Sequence, residues 1–244
     1  MLTLQAHRSK LYHLGVGKTV TRSNLSKANE HRDYRIFENF AYYMIAEARR
    51  KRAGDVVGIE AHIYAFDSTI IALCLSFFDW AKFRKKKGGI KVHTLFDIIA
   101  GVATFVHITE AKVHDMNAMD EILYGVGSFY IFDRGYNDYS RLYTIHRIGA
   151  TFILRAKNNV KYKRLSWIRR LQHNVLSDSK IVFTGPYKKD EYLEPLRLIK
   201  YWDEENKREF TFLTNNFALT ALEVAELFVK DSRLSCFSNG SNSI

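Results

Sequence analysis

The chain has 244 residues, of which 47% are hydrophobic and 14% aromatic, enough apolar material to bury a sizeable core in one or two domains. Its 37 Lys and Arg against 26 Asp and Glu leave a net charge of +11, which favours polyanionic partners, although charge alone does not separate DNA from RNA or an anionic membrane. Cys74 and Cys236 are too few for a disulfide framework or a four-cysteine zinc site and suit a reducing compartment. The longest apolar stretch, Ile70 to Phe78, is far short of a membrane span, and the N-terminus has no apolar signal region, so a cytoplasmic protein is expected.

From Tyr34 to Arg50 the apolar residues Ile36, Phe37, Phe40, Ala41, Met44 and Ile45 recur at helical spacing, which predicts one helix within an N-terminal helical segment, 1–55. Residues 56–157 are expected to form the first part of an α/β core. Strand-type runs follow one another there, roughly Ile63 to Ile71, Ile90 to Ile99, Gly101 to Ile108, Ser128 to Phe132 and Thr151 to Ala156. Helical patterns interrupt them at Met116 to Leu123 and at Asp138 to Ile148, the latter closed by Gly149 as a C-terminal cap. Strands that first run consecutively and then alternate with helices predict a mixed sheet with an α/β second half. Between 158 and 216 short β-like runs (Lys180 to Thr184, Leu196 to Trp202, Glu209 to Leu213) alternate with turn-forming stretches, predicting a β-rich insertion. A last helix starts within 217–231, with Thr220 as N-cap and Glu223 completing a capping box; 232–244 has the composition of a disordered tail.

Two aspartates stand out, each expected to close a hydrophobic strand of the same pattern: Asp67 in Tyr64-Ala65-Phe66-Asp67 and Asp133 in Tyr130-Ile131-Phe132-Asp133. Either one alone is explained as the cap of a turn or helix. As a pair on adjacent strands, held rigidly by the sheet, they would bridge hard divalent cations such as Mg²⁺ for in-line displacement at phosphorus. Between them lies a run with six cations in ten residues, Lys82, Arg84, Lys85, Lys86, Lys87 and Lys91, interrupted by Gly88-Gly89 and followed by His93. A solvated basic hairpin is the plain explanation of such a run. Its place between the aspartates favours contact with a phosphate backbone by Arg84, Lys85, Lys86, Lys87, Lys91 and His93, together with Arg134 beside the second aspartate. Gly17-Lys18-Thr19 is not the end of a phosphate-binding loop, because Tyr12 stands where that loop needs glycine. His93, His107 and His114 lack the spacing of a zinc site.

The segments Ser9-Lys10-Leu11-Tyr12-His13-Leu14-Gly15, Ala28 to Ile36, Ala65-Phe66-Asp67-Ser68-Thr69, Gly88 to His93 and Phe132-Asp133-Arg134-Gly135-Tyr136 resemble, in order, insertion-sequence transposases of the fourth family, which use an Asp-Asp-Glu triad. The likeness runs from about Ser9 to Phe228. It implies a ribonuclease-H-like mixed sheet flanked by helices, with a β-rich insertion before the last helix. Asp67 and Asp133 match the first two catalytic residues and metal ligands. The implied chemistry is Mg²⁺-dependent nicking of double-stranded DNA at transposon ends and transfer of the freed 3′-hydroxyl into target DNA, by a homodimer, with no membrane and no small-molecule substrate. A non-catalytic basic fragment that inhibits a full-length transposase, and a metal-dependent nuclease, are the alternatives.

The resemblance also implies a Tyr, Arg, Glu and Lys at fixed spacing along the last helix, and here those positions hold Phe228, Asp231, Ser235 and Asn242. Phe228 to Ile244 can be back-translated so that one restored A in the first codon yields Tyr-Cys-Lys-Arg-Phe-Glu-Val-Glu-Leu-Phe-Phe-Lys-Trp-Ile-Lys-Gln-His, which recovers all four. The expectation is a frameshifted tail that lacks the third carboxylate, and hence an inactive fragment with doubtful metal binding.

Overall fold

The structure is a computed structural model and describes residues 21–33, 35–52, 62–73, 82–84, 87–157, 159–168, 172–184 and 191–229. The expected tail, 232–244, and Lys85 and Lys86 lie outside the described residues. The chain divides into two compact units, Met1–Glu47 and Ala48–Ile244.

In the first unit α1 (Arg22–His31) opens on Thr21, whose hydroxyl accepts the Asn24 N–H at 3.2 Å. A second helix, α2 (Arg35–Arg52), starts in this unit and runs past its end at Glu47; it begins after Asp33, whose carboxylate accepts the Arg35 N–H at 2.9 Å and pairs with the Arg35 guanidinium. Among the described residues no helix is long and apolar enough to cross a membrane.

The second unit is built on one mixed sheet. Its strands in chain order are β1 (Ile63–Leu73), β2 (Lys82–Arg84), β3 (Lys87–Asp97), β4 (Val102–Glu110), β5 (Phe129–Phe132), β6 (Thr151–Arg155), β7 (Tyr162–Trp167), β8 (Val175–Phe183), β9 (Leu196–Asp203) and β10 (Arg208–Thr214). The sheet runs β4-β3-β1-β5-β6-β10-β9-β8-β7, with short β2 extending β3. β1, β3 and β4 form an antiparallel meander, while β5 and β6 are parallel to β1. This is the ribonuclease-H-like arrangement of a mixed sheet flanked by helices. The insertion strands do not form a separate body: β10 pairs antiparallel with β6, and β9, β8 and β7 continue outward from it.

Because side chains alternate across a sheet, the two faces carry separate cores. On one face Phe66, Phe132 and Leu154 pack with Leu142 and Ile145 of α3 (Tyr139–Ile148) and with Met119 of a 3₁₀ helix, Asp115–Glu121. On the other, Ile63, Ile131, Ile153 and Phe212 pack with Val224, Ala225 and Phe228 of a helix over residues 221–229. Local signals explain these helices. The Asp138 carboxylate caps α3 by accepting the Arg141 N–H at 3.0 Å, and Gly149 ends it in the left-handed region at φ 85°. The capping box is reciprocal: Glu223 Oε2 accepts the Thr220 N–H at 2.7 Å and Thr220 Oγ1 accepts the Glu223 N–H at 3.2 Å.

Candidate active site

The parallel ladder between β1 and β5 ends at the pair Phe66 and Phe132, and the next residue on each strand is an aspartate, Asp67 and Asp133. Neighbouring strands lie ~4.8 Å apart, so the two backbones stand side by side at one level of the sheet. Asp67 does not close its strand: β1 continues to Leu73, with Asp67 opposite Thr94 of β3. What ends there is the pairing with β5. By alternation both aspartates follow Ala65 and Ile131 on the face covered by the 221–229 helix. Asp133 occupies the N-cap of the 3₁₀ turn Arg134–Tyr136, yet its side chain makes no capping hydrogen bond.

The charges around the pair are unevenly matched. Asp67 Oδ1 accepts the Ser68 N–H at 2.8 Å, and no described cation bonds it. Burial pushes its carboxyl above the usual range, with repulsion from Asp133 and Asp115 adding to the effect and the Ser68 bond opposing it. Asp133 is about half exposed, at 52%, and receives a long 3.3 Å contact from Arg155. Arg155 stands next along the same face and lies over the Phe210 ring at 5.0 Å. Burial lowers the pKa of its guanidinium, and its Nε is buried with no hydrogen-bond partner among the described residues.

On the opposite face lies a closed network that sequence reasoning did not single out. Ser68 Oγ donates to Asp115 Oδ1 at 2.9 Å, and the Lys91 ammonium reaches the same oxygen at 2.9 Å and the Val113 carbonyl at 2.7 Å. Asp115 opens a 3₁₀ helix after His114, and only its fold neighbours, not its sequence context, reveal its place beneath Asp67.

Two of the residues expected at a DNA surface are corrected by their burial. Lys91 is only 7% exposed and His93 is fully buried, because alternate positions of β3 point into the core rather than to solvent. His93 hydrogen-bonds Thr109 Oγ1 at 3.0 Å and stacks on Phe66, and burial pulls its imidazole down to about 4. Arg84 and Lys87 belong to the β2 and β3 strands, with only their backbones described. Arg134 is exposed beside Asp133.

Among the described residues no three His, Cys, Asp or Glu side chains gather as a metal cluster. The donor chemistry of the pair nevertheless fits a hard divalent ion. Two oxygen donors sit on rigid neighbouring strands, and their mutual repulsion is of the kind a cation relieves.

Residues 60–228 match the model of the Transposase DDE domain. The chain is also similar to "Putative transposase y4zB" of Sinorhizobium fredii, 29% identical over 157 residues, 61% of this chain and 43% of that protein. It is likewise similar to "Putative transposase for insertion sequence element IS4SA" of Synechocystis sp., 24% identical over 153 residues, 62% of this chain and 44% of that protein. Each match thus spans less than half the length of the relative. With the family model covering both aspartate strands, the insertion and the start of the last helix, the chain belongs to the DDE transposase domain family.

Proposed function

We propose that this chain is the catalytic core of an insertion-sequence transposase in which Asp67 and Asp133 jointly hold divalent metal for cleavage and strand transfer of double-stranded DNA. The observation that supports it is the register: two carboxylates one step past the last rung of two neighbouring parallel strands. Bound Mg²⁺ would supply Lewis-acid activation of the attacking oxygen and stabilise the leaving oxygen. The chain's own part is positioning. The sheet fixes Asp67, burial and like charge keep it primed for a cation, and Arg155 steadies Asp133 from the adjacent strand. Exposed Arg134, together with the cations Arg84, Lys85, Lys86 and Lys87 of the basic run, holds the phosphate backbone. A homodimer on paired ends is the working assembly.

The chain itself holds DNA better than it cuts it. It carries Ser235 where the family pattern has Glu, and two carboxylates bind a divalent ion less tightly than three. A nicking assay on supercoiled plasmid with Mg²⁺ or Mn²⁺ tests both parts. The expected result is little or no nicking by the chain, and strong nicking once the frame beyond Phe228 is restored, abolished again by Asp67→Asn. Nicking by the restored protein that survives Asp67→Asn would overturn the assignment of the site. Full activity of the unaltered chain would overturn the claim of impairment.

A further inference from the structure

Lys91 and His93 turn inward, but a group of exposed cations lies at the outermost insertion strand. Among the described residues β7 ends the sheet, with one backbone edge unpaired by any described strand, and every residue from Lys163 to Trp167 is exposed. Lys163 and Arg164 lie on it, Lys161 directly precedes it, and Lys180 of β8 stands opposite Ser166. None of these four is ion-paired to a described carboxylate. The sequence contains no Asp or Glu between Asp138 and Asp178, and Asp178 is itself sealed inside the sheet against Arg197.

Large apolar side chains are interleaved with these cations. Trp167 is 59% exposed with the Arg164 guanidinium 5.7 Å from its ring, and Leu165 is 49% exposed. Lysines on an edge strand serve by themselves to block sheet-to-sheet aggregation. That role does not account for an exposed Trp and Leu on the same strand, which raise the aggregation hazard. Cations alternating with an exposed indole suit a polyanion that also presents flat apolar surfaces. A second copy of β7 is a poor occupant, because edge pairing would bring Lys163 and Arg164 against their own like charges.

We infer that β7, with Lys180, is a nucleic-acid-binding edge separate from the basic run near β2, its cations contacting backbone phosphates and Trp167 stacking on sugar or base. This rests on reading the chain as a DNA-handling protein. The test is fluorescence anisotropy of a labelled oligonucleotide, as duplex and as single strand, titrated with the full chain over a range of salt. The Lys161→Gln, Lys163→Gln, Arg164→Gln triple variant should lower the salt slope by roughly 2–3, near 0.9 per lost contact on duplex or 0.7 on single strand. It should weaken binding at least about tenfold at 0.1 M salt. Its melting midpoint should match that of the parent, since the altered side chains are exposed. Quenching of tryptophan emission by DNA should disappear in Trp167→Phe. A triple variant with the parent's slope and affinity overturns the inference while leaving the proposed function intact. A dimer of the parent, seen by sedimentation, that the triple variant dissolves without loss of DNA affinity overturns it in favour of a protein interface. Absence of salt-dependent DNA binding by the parent overturns the inference and the DNA-handling reading together.

Discussion

The sheet treats its acidic residues in two opposite ways. In the insertion, Asp178 and Arg197 are 4% and 5% exposed and meet in a paired contact of 2.9 and 2.6 Å, with Arg197 also donating to the Leu219 carbonyl. At the end of the β1 and β5 ladder, Asp67 and Asp133 lie on neighbouring strands, Asp67 bonded only by the Ser68 N–H among the described residues and Asp133 reached by one long contact from Arg155. The first arrangement is electrostatically closed and fixes β8, β9 and the approach to the last helix in place. The second is left with excess negative charge, and the chain tolerates it where chemistry is expected. Compensation serves structure at Asp178, and the proposed metal site lies where it is missing.

Removing one partner of the closed pair should have the largest effect. Arg197→Met strands a buried carboxylate, costing about 3–5 kcal/mol, and should lower the melting midpoint by on the order of 10 °C for a chain of this size. A drop of only a degree or two by calorimetry would mean that the two regions do not differ as described.

A smaller, pH-dependent effect comes from His93, whose imidazole sits in the core at about 4 against an ordinary 6.5. In the window between those values the unfolded chain binds a proton that the folded chain refuses, so stability falls as pH is lowered through it. The slope from this group is at most about 1.4 kcal/mol per pH unit and ends below the folded value. Urea unfolding at several pH values should show this slope, and His93→Gln should flatten it; an unchanged slope would remove His93 from the account.

The smallest effect has the opposite sign. The Asp67 carboxyl is held above its usual range, so its ionisation costs folding energy, a cost that appears as pH rises through the folded-state value. Asp67→Asn should therefore leave the protein as stable at neutral pH or raise its midpoint by a few degrees. A destabilised variant would show that Asp67 is a structural residue like Asp178.

The part of the sequence that announced itself did so through local chemistry. α3 was legible because Asp138 and Gly149 mark both its ends, and the 221–229 helix because Thr220 and Glu223 are spaced as a box. The aspartate strands were legible because each carries a hydrophobic run directly ahead of its aspartate. β7 was not, since a strand exposed on both faces has no apolar period, and α1 was not, since Leu25 and Ala28 alone do not make a stripe. The Met116 to Leu123 pattern proved to be a 3₁₀ helix over Asp115–Glu121, a distinction that periodicity in so short a run does not carry. Lys91 and His93 misled for a different reason. Their polarity suggested solvent, while β3 buries them and pairs the Lys91 ammonium with Asp115 and Val113 and the His93 Nε2 with Thr109, partners distant in sequence.

The central claim, that Asp67 and Asp133 together hold a divalent ion, is tested most directly by Mn²⁺ titration of the purified chain, with free Mn²⁺ followed by electron paramagnetic resonance. The account predicts one saturable, weak site in the parent, lowered at least about tenfold in affinity by Asp67→Asn and equally by Asp133→Asn. Binding that is unaltered in both variants, or absent from the parent, would contradict it.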